Sequence, residues 1–468
     1  MKWSTLLSTK RMREGYGNSQ GRTGDLRSEF EKDYHRIIGS ASFRRLQDKT
    51  QVFPLDQSDF IRTRLTHSLE VSSFAKSLGQ NIGENIITCR RDPDFTPKMK
   101  EEMCSILQCA GLIHDIGNPP FGHFGEEAIR QWFIRNLPKI EFNGTTVDKI
   151  LDDQMREDLY HFEGNAQALR LVTRLHYLVD EYGMNLTCAL LNTIIKYPTS
   201  SLEINPQSGD VKNKKMGYYY ADREIYQEII RQTGTDGHRH PLTFILEAAD
   251  DLAYRTADIE DAFVKGFLTY RDMEKELETL EEGDCSFHAL EQLHRLYDRG
   301  KEKDVQNPQM YALKNWVVRL QGFLIGCATS GFTDHYESIM EGTYKHDIFY
   351  GTKGEKIMKL LGDIAVRYVF TSKAIYKMEM AEDTMLNFLM DRLVSAVLYY
   401  DTQFPMSSID SRAVSLISDN YKKAYINQAE GKSEKEKLYL RLLLVTDYVC
   451  GMTDSYAKRL YQETNGII

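Results

Sequence analysis

Residues 111–127 read GLIHDIGNPPFGHFGEE, and they are the most informative segment of the chain. The segment before them, EEMCSILQCA at 101–110, carries apolar residues at helical spacing. Two consecutive prolines in GNPPFG (117–122) cannot continue that helix. We therefore predict a helix that leaves the core at His114 and Asp115, a turn over 117–122, and a second helix after the turn.

Helical patterns continue on both sides of this segment. Apolar residues recur at helical spacing over 69–86, where Thr66 is predicted to cap the helix, and again over 240–263. Residues 140–160 and 199–217 are polar and turn-rich, which predicts surface loops or small excursions from the core. Strand-like alternation is rare throughout the chain. The sequence predicts an all-α fold with one helical core and an extended helical C-terminal region.

The composition narrows the class of protein. The chain has 468 residues, of which 41% are hydrophobic and 27% are charged, as in ordinary globular proteins. It contains no secretory signal and no run of eighteen apolar residues, so we expect no membrane span. Its seven cysteines form no CxxC pair, which fits a reducing cytoplasm and excludes the usual cysteine zinc site. A net charge of −9 argues against a general nucleic-acid binder, so an anionic substrate would need local positive charge.

Motifs divide the chain into three predicted segments. Residues 1–28 are rich in Gly, Arg and Ser, and GYGNSQGRTGD (15–25) lacks the GxxxxGK[ST] pattern of a phosphate loop, so we predict a mobile segment. Residues 29–270 hold the segments with metal-type ligands and are predicted to form the catalytic core. Residues 271–468 alternate amphipathic stretches with short breaks. The basic run KNKK (212–215) is explained equally well as a solvated loop.

The adjacent pair His114–Asp115 offers one imidazole and one carboxylate about 100° apart at a helix end. Both can reach one ion beside that end, while further ligands must come from other helices; His67 and one of Asp250 and Asp251 are the candidates. Two nitrogens and two hard oxygens suit Mn²⁺, Fe²⁺, Co²⁺, Zn²⁺ or, less well, Mg²⁺. Such an ion would polarise a phosphoryl group and acidify a water.

His123 and Glu126 follow the proline turn at positions i and i+3, and so face the same side of the next helix. A carboxylate beside an imidazole raises the pKa of the imidazole and orients the ring, which is a general acid–base arrangement. A lone HD dipeptide is weak evidence, but the apolar run, the proline turn and this second pair make an active site the better interpretation.

The string HDIGNPPFGHFGE (114–126) resembles the active-site motif of the bacterial dGTP triphosphohydrolases, members of the HD superfamily. The vertebrate dNTP triphosphohydrolase is a more distant relative with the same core. Further segments match in the order of the family and span most of the chain: FRRLQDKTQVFP (43–54), RTRLTHSLEV (62–71), HFEGNAQALR (161–170), IIKYP (194–198), EAADDLAYRTADIEDA (247–262) and GMTDSYA (451–457).

The resemblance implies roles for individual residues. Asp250 is preferred to Asp251 because the family has its ligand aspartate followed by tyrosine four residues later and aspartate four later again, as in Asp250, Tyr254 and Asp258. The implied metal ligands are His67, His114, Asp115 and Asp250. The implied catalytic pair is His123 and Glu126. The implied substrate-binding residues are Gln51, Arg64, Lys196, Tyr197, Tyr254 and Asp258, with Arg44, Arg45 and Asn165 as neighbours of the site.

The implied substrate-binding residues would contact different parts of the nucleotide. Arg64 would contact the triphosphate, and Gln51 would lie near the deoxyribose and its 3′-hydroxyl. Lys196 and Tyr197 would contact phosphate and sugar. Tyr254 could stack under the sugar and leave no room for a 2′-hydroxyl, while Asp258 would help to close the pocket. The region 271–468 would complete the pocket and supply oligomer contacts, with base recognition near YVFTSKAIYK (368–377).

The resemblance further implies metal-dependent hydrolysis of dGTP, and of other dNTPs, to deoxynucleoside and inorganic triphosphate, which would control the dNTP pool. The expected cofactor is one divalent ion, with Mn²⁺, Mg²⁺ or Co²⁺ favoured and Fe²⁺ or Zn²⁺ as alternatives. The water that attacks the α-phosphorus is activated either at the ion or by His123–Glu126; alternatively, His123 protonates the departing 5′-oxygen. A cytoplasmic homo-oligomer, such as a hexamer, with single-stranded DNA as an effector is also expected.

Two other functions remain open at this point. The chain could be another HD phosphohydrolase, a nucleotidase or a phosphodiesterase; the binuclear phosphodiesterases need further histidines, and His161 and His176 are present but not in such a motif. It could also be a nucleotide- or single-strand-DNA-responsive binding protein with a vestigial site. Intact ligand-type residues at all four positions argue against that second alternative.

Overall fold

The computed structural model of the chain describes residues 1–13, 25–51, 62–89, 91–176, 180–280 and 287–467. Helices make up nearly all of the regular structure in these ranges. A single antiparallel hairpin, β1 (Glu141–Phe142) with β2 (Thr145–Thr146), is the only sheet among the described residues. The predicted all-α fold is therefore confirmed.

The helices are numbered in chain order. The first eleven are α1 Trp3–Leu6, α2 Glu29–Ile38, α3 Ala41–Arg45, α4 Arg64–Thr88, α5 Pro97–Ile113, α6 Gly122–Asn136, α7 Val147–Ile150, α8 Asp153–Tyr160, α9 Gly164–Arg170, α10 Cys188–Ile194 and α11 Arg223–Thr233. The others are α12 Pro241–Val264, α13 Tyr270–Leu277, α14 Ala289–Glu302, α15 Pro308–Asp334, α16 Tyr336–Glu341, α17 Glu355–Ala365, α18 Lys373–Val397, α19 Ser408–Leu416, α20 Asp419–Ala429, α21 Glu434–Cys450 and α22 Asp454–Thr464. Short 3₁₀ turns lie at Leu46–Asp48, Ser201–Glu203, Pro206–Ser208, Val211–Asn213 and Tyr220–Asp222, and π-helical turns at Leu171–Leu175 and Val366–Phe370.

The chain forms two compact units. Unit 1 comprises Met1–Ser68, Leu112–Thr243 and Glu379–Ile468. Its core contains α21, in which every side chain from Leu438 to Cys450 is buried. This stretch is largely apolar, as a helix in such a position is expected to be. Its two buried charges are paired, Asp447 with Arg170 at 2.8 Å and Arg441 with Glu434 at 2.7 Å.

Unit 2 comprises Leu69–Gly111 and Phe244–Met378. The long helix α15 packs along α14 in this unit, and Trp316 of α15 is fully buried with its indole nitrogen donating to the carbonyl of Ala289 at 2.8 Å. The predicted chain division at residues 28 and 270 stays a prediction.

The predicted helix ends need one correction at α4. The helix begins at Arg64, so Thr66 lies inside its first turn and not at its cap. The hydroxyl of Thr63 accepts from the amide of Thr66 at 3.4 Å, and the hydroxyl of Thr66 accepts from the amide of Thr63 at 3.0 Å. Such reciprocal bonds define a capping box, so Thr63 is the cap. The helix therefore includes both Arg64 and His67.

Residues 140–160, predicted as a surface loop or a small excursion, form a hairpin and two helices instead of an irregular loop. Asn143 and Gly144 both adopt positive φ, 51° and 79°, as a tight hairpin turn requires, and they connect β1 to β2. Helices α7 and α8 follow. Residues 199–217, in contrast, contain only 3₁₀ turns and irregular structure.

The N-terminal residues make buried contacts in unit 1. Trp3 and Leu6 are buried, and Arg11 pairs with the buried Asp33 at 2.6 Å. Residues 14–24, which include most of the glycine-rich run, lie outside the described part of the chain. Mobility of the segment 1–28 stays a prediction. In the described ranges, none of the helices combines the length and the apolarity that a membrane span requires.

His240 makes the stability of unit 1 depend on pH. The side chain is fully buried; its Nε2 lies 3.2 Å from the carbonyl of Leu6, and its Nδ1 accepts from the amide of Leu242 at 3.2 Å. Only a neutral ring can accept at Nδ1, and burial lowers the pKa of His240 to about 4. The unfolded chain takes up this proton near pH 6.5, so the stability contribution is complete above that value and is lost as pH falls towards 4.

We expect the wild-type protein to lose about 2 kcal/mol of stability through this residue between pH 7 and pH 5. The His240→Asn variant keeps an acceptor for the amide of Leu242 but does not titrate. Between pH 7 and pH 5 its free energy of unfolding should therefore fall by about 2 kcal/mol less than that of the wild-type protein. Urea unfolding of both proteins at the two pH values measures the difference. Equal pH dependence in both proteins would remove His240 as the cause.

Candidate active site

Three of the four predicted metal ligands lie together in unit 1. His67 is in the first turn of α4, and His114 and Asp115 directly follow α5. One ligand atom from each residue lies within 4.8 Å of the others, and the two imidazole rings are 5.3 Å apart between centroids. His114 Nε2 lies 3.6 Å from Asp115 Oδ1. Two imidazoles and a carboxylate in so small a volume fit a divalent transition-metal ion.

The carboxylate of Asp115 is held from two sides. Arg64 is buried, and its guanidinium forms an ion pair with this carboxylate. The amide nitrogen of Asn118 donates to Asp115 Oδ1 at 2.8 Å. Outer contacts of this kind orient a metal ligand. Arg64, which was predicted to contact the triphosphate, is thus also a neighbour of the ligand set.

Asp250, Tyr254 and Asp258 lie on α12 in unit 2, with the spacing that places them on one helical face. Burial, reinforced by the charges of Asp258 and Asp250, raises the pKa of Tyr254 well above its usual value. The ring of Tyr254 stacks on Phe370, with centroids 6.5 Å apart and planes inclined by 8°. Asp251 lies 3.8 Å from Arg255. The participation of Asp250 in metal binding stays a prediction.

His123 and Glu126, the predicted catalytic pair, lie in contact, and their catalytic role stays a prediction. His123 Nδ1 lies 3.2 Å from Glu126 Oε2, and Glu126 Oε1 accepts from the amide of Gly164 at 2.9 Å. The side chain of His123 is 74% exposed, whereas that of Glu126 is 1% exposed. A buried carboxylate therefore orients an imidazole that solvent and a substrate can reach.

Electrostatics reinforce this division of roles. The hydrogen bond with Glu126 raises the pKa of His123. Burial by itself would raise the pKa of Glu126, but the bond from His123 and the positive charges of His123, Lys215 and Arg130 lower it to about 2. Glu126 is consequently ionised across the neutral range, and it stabilises the protonated imidazole.

Sequence reasoning missed two charged residues behind this pair. Glu163 is buried, and Lys215 Nζ lies 2.8 Å from its Oε2. Asn165 donates to Glu163 Oε1 at 2.7 Å, which places this predicted neighbour close to the site. Glu163 lies in a motif segment and could have been proposed. Lys215 belongs to the run KNKK, for which a solvated loop was an equally good explanation, and no local signal distinguishes it.

The other predicted substrate residues of unit 1 are also placed. Tyr197 is 7% exposed, and its carbonyl lies so close to Gly217 that no side chain would fit there, which brings 196–198 beside 215–217. The carbonyl of Lys196 accepts from Arg239 at 2.9 Å. Gln51 Oε1 is buried, with no donor to it among the described residues. Arg45 donates to the hydroxyl of Tyr421 at 3.3 Å, and Arg44 to the carbonyl of Gly39 at 2.9 Å.

The histidines that a binuclear site would need are not at the cluster. His161 lies 3.5 Å from Glu157 with 46% of its side chain exposed. Within the described part of the chain, the cluster of metal-type side chains contains His67, His114 and Asp115 but neither His161 nor His176.

Gly164 is the point where α9 approaches the predicted catalytic pair. A β-carbon at this position would overlap Asn118 Oδ1 and lie 2.5 Å from Glu126 Oε1. We expect Gly164→Ala to displace both side chains and to lower kcat by about 100-fold, because a misplacement of about 1 Å can cost that much. The matched control is Gly322→Ala, an exposed helical glycine of α15 where a β-carbon meets nothing within 4 Å. Steady-state rates of both variants test this, and equal rates would show that Gly164 does not constrain the pair.

The chain is similar to known proteins over its whole length. The HD domain family model matches residues 64–195. A "deoxyguanosinetriphosphate triphosphohydrolase-like protein" of Listeria monocytogenes is 46% identical over 474 residues, covering 100% of both chains. A protein of the same name from Synechocystis is 32% identical over 481 residues with the same coverage. The "deoxyguanosinetriphosphate triphosphohydrolase" of Yersinia enterocolitica is 32% identical, covering 92% of this chain and 93% of that one.

Proposed function

The chain belongs to the HD-domain family that contains the deoxyguanosinetriphosphate triphosphohydrolases and the triphosphohydrolase-like proteins, and from this we propose that it hydrolyses dNTPs, with dGTP as the preferred substrate. The products would be a deoxynucleoside and inorganic triphosphate. The observation that carries the proposal is that the metal-type cluster and the predicted acid–base pair lie on the two sides of one turn, residues 117–121.

His67, His114 and Asp115 would hold the divalent ion, with Asp250 as the fourth ligand that the family resemblance adds. A bound ion would polarise the α-phosphoryl group and lower the pKa of a nearby water. Mn²⁺, Mg²⁺ and Co²⁺ are the proposed ions, with Fe²⁺ and Zn²⁺ as alternatives. Arg64 and Asn118 would keep the carboxylate of Asp115 oriented.

His123 is proposed to act as the general acid. Water adds to the α-phosphorus, the bond to the 5′-oxygen breaks, and the imidazolium gives its proton to that oxygen while the water loses one to solvent. The raised pKa of His123 and the ionised Glu126 both favour the protonated ring before the reaction. The opposite role, removal of a proton from the water, would use the neutral ring and is therefore less well supported.

The substrate carries about four negative charges in an acidic protein, so local cations must bind it. Arg64, Lys196 and protonated His123 are the proposed cations. Gln51 and Tyr197 would contact the sugar. Tyr254 and Asp258 would close the pocket and exclude a 2′-hydroxyl.

The cellular role follows from the substrate. An enzyme that destroys dNTPs would act in the cytoplasm and limit the dNTP pool. We further propose a homo-oligomer, with a hexamer as one candidate, whose contacts and substrate pocket include residues 271–468, and single-stranded DNA as an effector. These last features rest on family resemblance.

The proposal is tested with the four dNTPs, singly and mixed, against Mg²⁺, Mn²⁺ and Co²⁺, with products identified by chromatography. Deoxynucleoside with intact triphosphate supports it. A dNMP with pyrophosphate, or a dNDP with phosphate, would instead indicate another HD phosphohydrolase. Nucleotide binding without turnover under any ion would indicate a binding protein. Turnover of single dNTPs would exclude an obligatory nucleotide activator.

A further inference from the structure

Two buried residues far apart in the chain meet at the turn between the metal-type cluster and His123. Lys49 is 2% exposed and Asp454 is 1% exposed. Lys49 precedes Gln51, and Asp454 lies in GMTDSYA (451–457), which matches the family without an assigned role. Both belong to unit 1.

Lys49 connects the segments that carry the ligands. Its Nζ donates to the carbonyl of Asn118 at 2.5 Å and to the carbonyl of Cys450, at the end of α21, at 2.6 Å. Its own carbonyl accepts from the amide of Arg64 at 2.8 Å, at the start of the helix that holds His67. Lys49 therefore contacts both the beginning of α4 and the turn that follows Asp115.

Asp454 holds the same turn from its other end. Asp454 Oδ1 accepts from the amide of Phe121 at 2.9 Å, and its Oδ2 accepts from the amide and the hydroxyl of Thr50 at 2.9 Å and 2.7 Å. Phe121 has a φ of 65°, a conformation that a bulky residue adopts only when its surroundings impose it. His123 lies two residues later.

We propose that Lys49 and Asp454 are positioning residues for the hydrolysis proposed above: they hold the turn 117–121 and so set the place of His123 relative to the metal-type cluster. Neither side chain needs to touch the substrate. The hydrogen bond between Ser455 and Asp48, at 2.8 Å, joins the same two segments but does not reach the turn. Its removal therefore tests whether weaker attachment of α22, without a change at the turn, is enough to affect catalysis.

The test compares Asp454→Asn and Lys49→Met with the control Ser455→Ala. The amide introduced by Asp454→Asn cannot accept hydrogen bonds on both sides, and the thioether introduced by Lys49→Met donates none. We expect kcat to fall roughly 10- to 100-fold in both variants, because small displacements of a catalytic group are costly. The KM for the dNTP and the metal concentration for half-maximal rate should stay within about threefold of the wild-type values, since the binding groups themselves are unchanged. Ser455→Ala should keep the wild-type kcat.

Lys49→Gln should recover part of the kcat lost in Lys49→Met, because its amide retains two N–H donors for the two carbonyls. If Asp454→Asn does not fold, this pair of Lys49 variants decides the proposal alone. A loss that appears in KM and not in kcat, or no loss at all, would overturn it.

Hydrogen–deuterium exchange over residues 116–123 gives a readout that does not depend on substrate. Pro119 and Pro120 carry no amide, so the amide of Phe121 is one of only six in this segment. Exchange should be faster in Asp454→Asn than in Ser455→Ala, and equal exchange would contradict the proposal. A wild-type protein inactive on every dNTP would defeat the proposed function, and exchange would still decide whether Lys49 and Asp454 hold the turn.

Discussion

Asp115→Asn should abolish measurable hydrolysis and weaken divalent-metal binding by more than about 100-fold, because changes in the outer contacts of a metal site alone cost 10- to 100-fold. Asp115 is the carboxylate of the cluster with His67 and His114, and both Arg64 and Asn118 are directed at it. The neutral amide keeps the size of the side chain but loses the charge that the ion and Arg64 require.

The measurement is the initial rate as a function of Mn²⁺ concentration, together with the metal content of the dialysed protein. Asp153→Asn is the matched control, because that acidic side chain is 80% exposed and pairs only with the nearby Arg156 in its described contacts. Removal of metal by a chelator should inactivate the wild-type protein, and added Mn²⁺ should restore it. Normal metal content and turnover in Asp115→Asn would place the ion elsewhere.

His123→Ala is expected to lower kcat by roughly 10²–10⁴-fold while metal affinity stays unchanged, which is the range for loss of a general acid or base. His161→Ala is the control, since His161 is also a partly exposed histidine paired with a glutamate. Loss of bound metal in His123→Ala would make His123 a ligand, and an unchanged rate would exclude the pair from catalysis.

The pH profile of the wild-type kcat separates the two roles of His123. The bond with Glu126 raises the pKa of the imidazole, so the protonated form persists to higher pH than in a free histidine. If the ring acts as the acid, kcat falls as pH rises through this pKa. A base would give the opposite slope, with kcat falling as pH drops.

Short-range features of the site could be predicted from the chain because they depend on helix geometry alone. The spacing i, i+3 brings His123 and Glu126 together on any regular helix, and the 3.2 Å contact is the consequence. The prolines of GNPPFG likewise required α5 to end before Pro119, and it ends at Ile113. At α4 the predicted cap was wrong by three residues. Both Thr63 and Thr66 are residues that cap helices well, and only their reciprocal hydrogen bonds in the structure identify Thr63 as the cap.

The hairpin at 141–146 could have been predicted in part from its turn dipeptide, Asn143-Gly144. Asn-Gly is a strong turn dipeptide, but the flanking strands are only two residues each, too short for a recognisable alternation. Lys215 is a different case. Its pairing with Glu163 depends on how an irregular segment returns to α9, and charge alone makes it look like any solvated lysine.

The sequence by itself determined the helical class, the family, and which site residues lie together within one or two helical turns of His114 and Asp115. The family follows from the resemblance of long motifs, and the other two properties follow from periodicity, capping and proline chemistry, which act over a few residues. The tertiary structure alone decided that Lys49 and Asp454, about four hundred residues apart, close on the same turn, and that Glu126 is buried while His123 is exposed. Such contacts depend on how α21 and α22 pack beside the turn, and no local pattern encodes the partner of a buried charge.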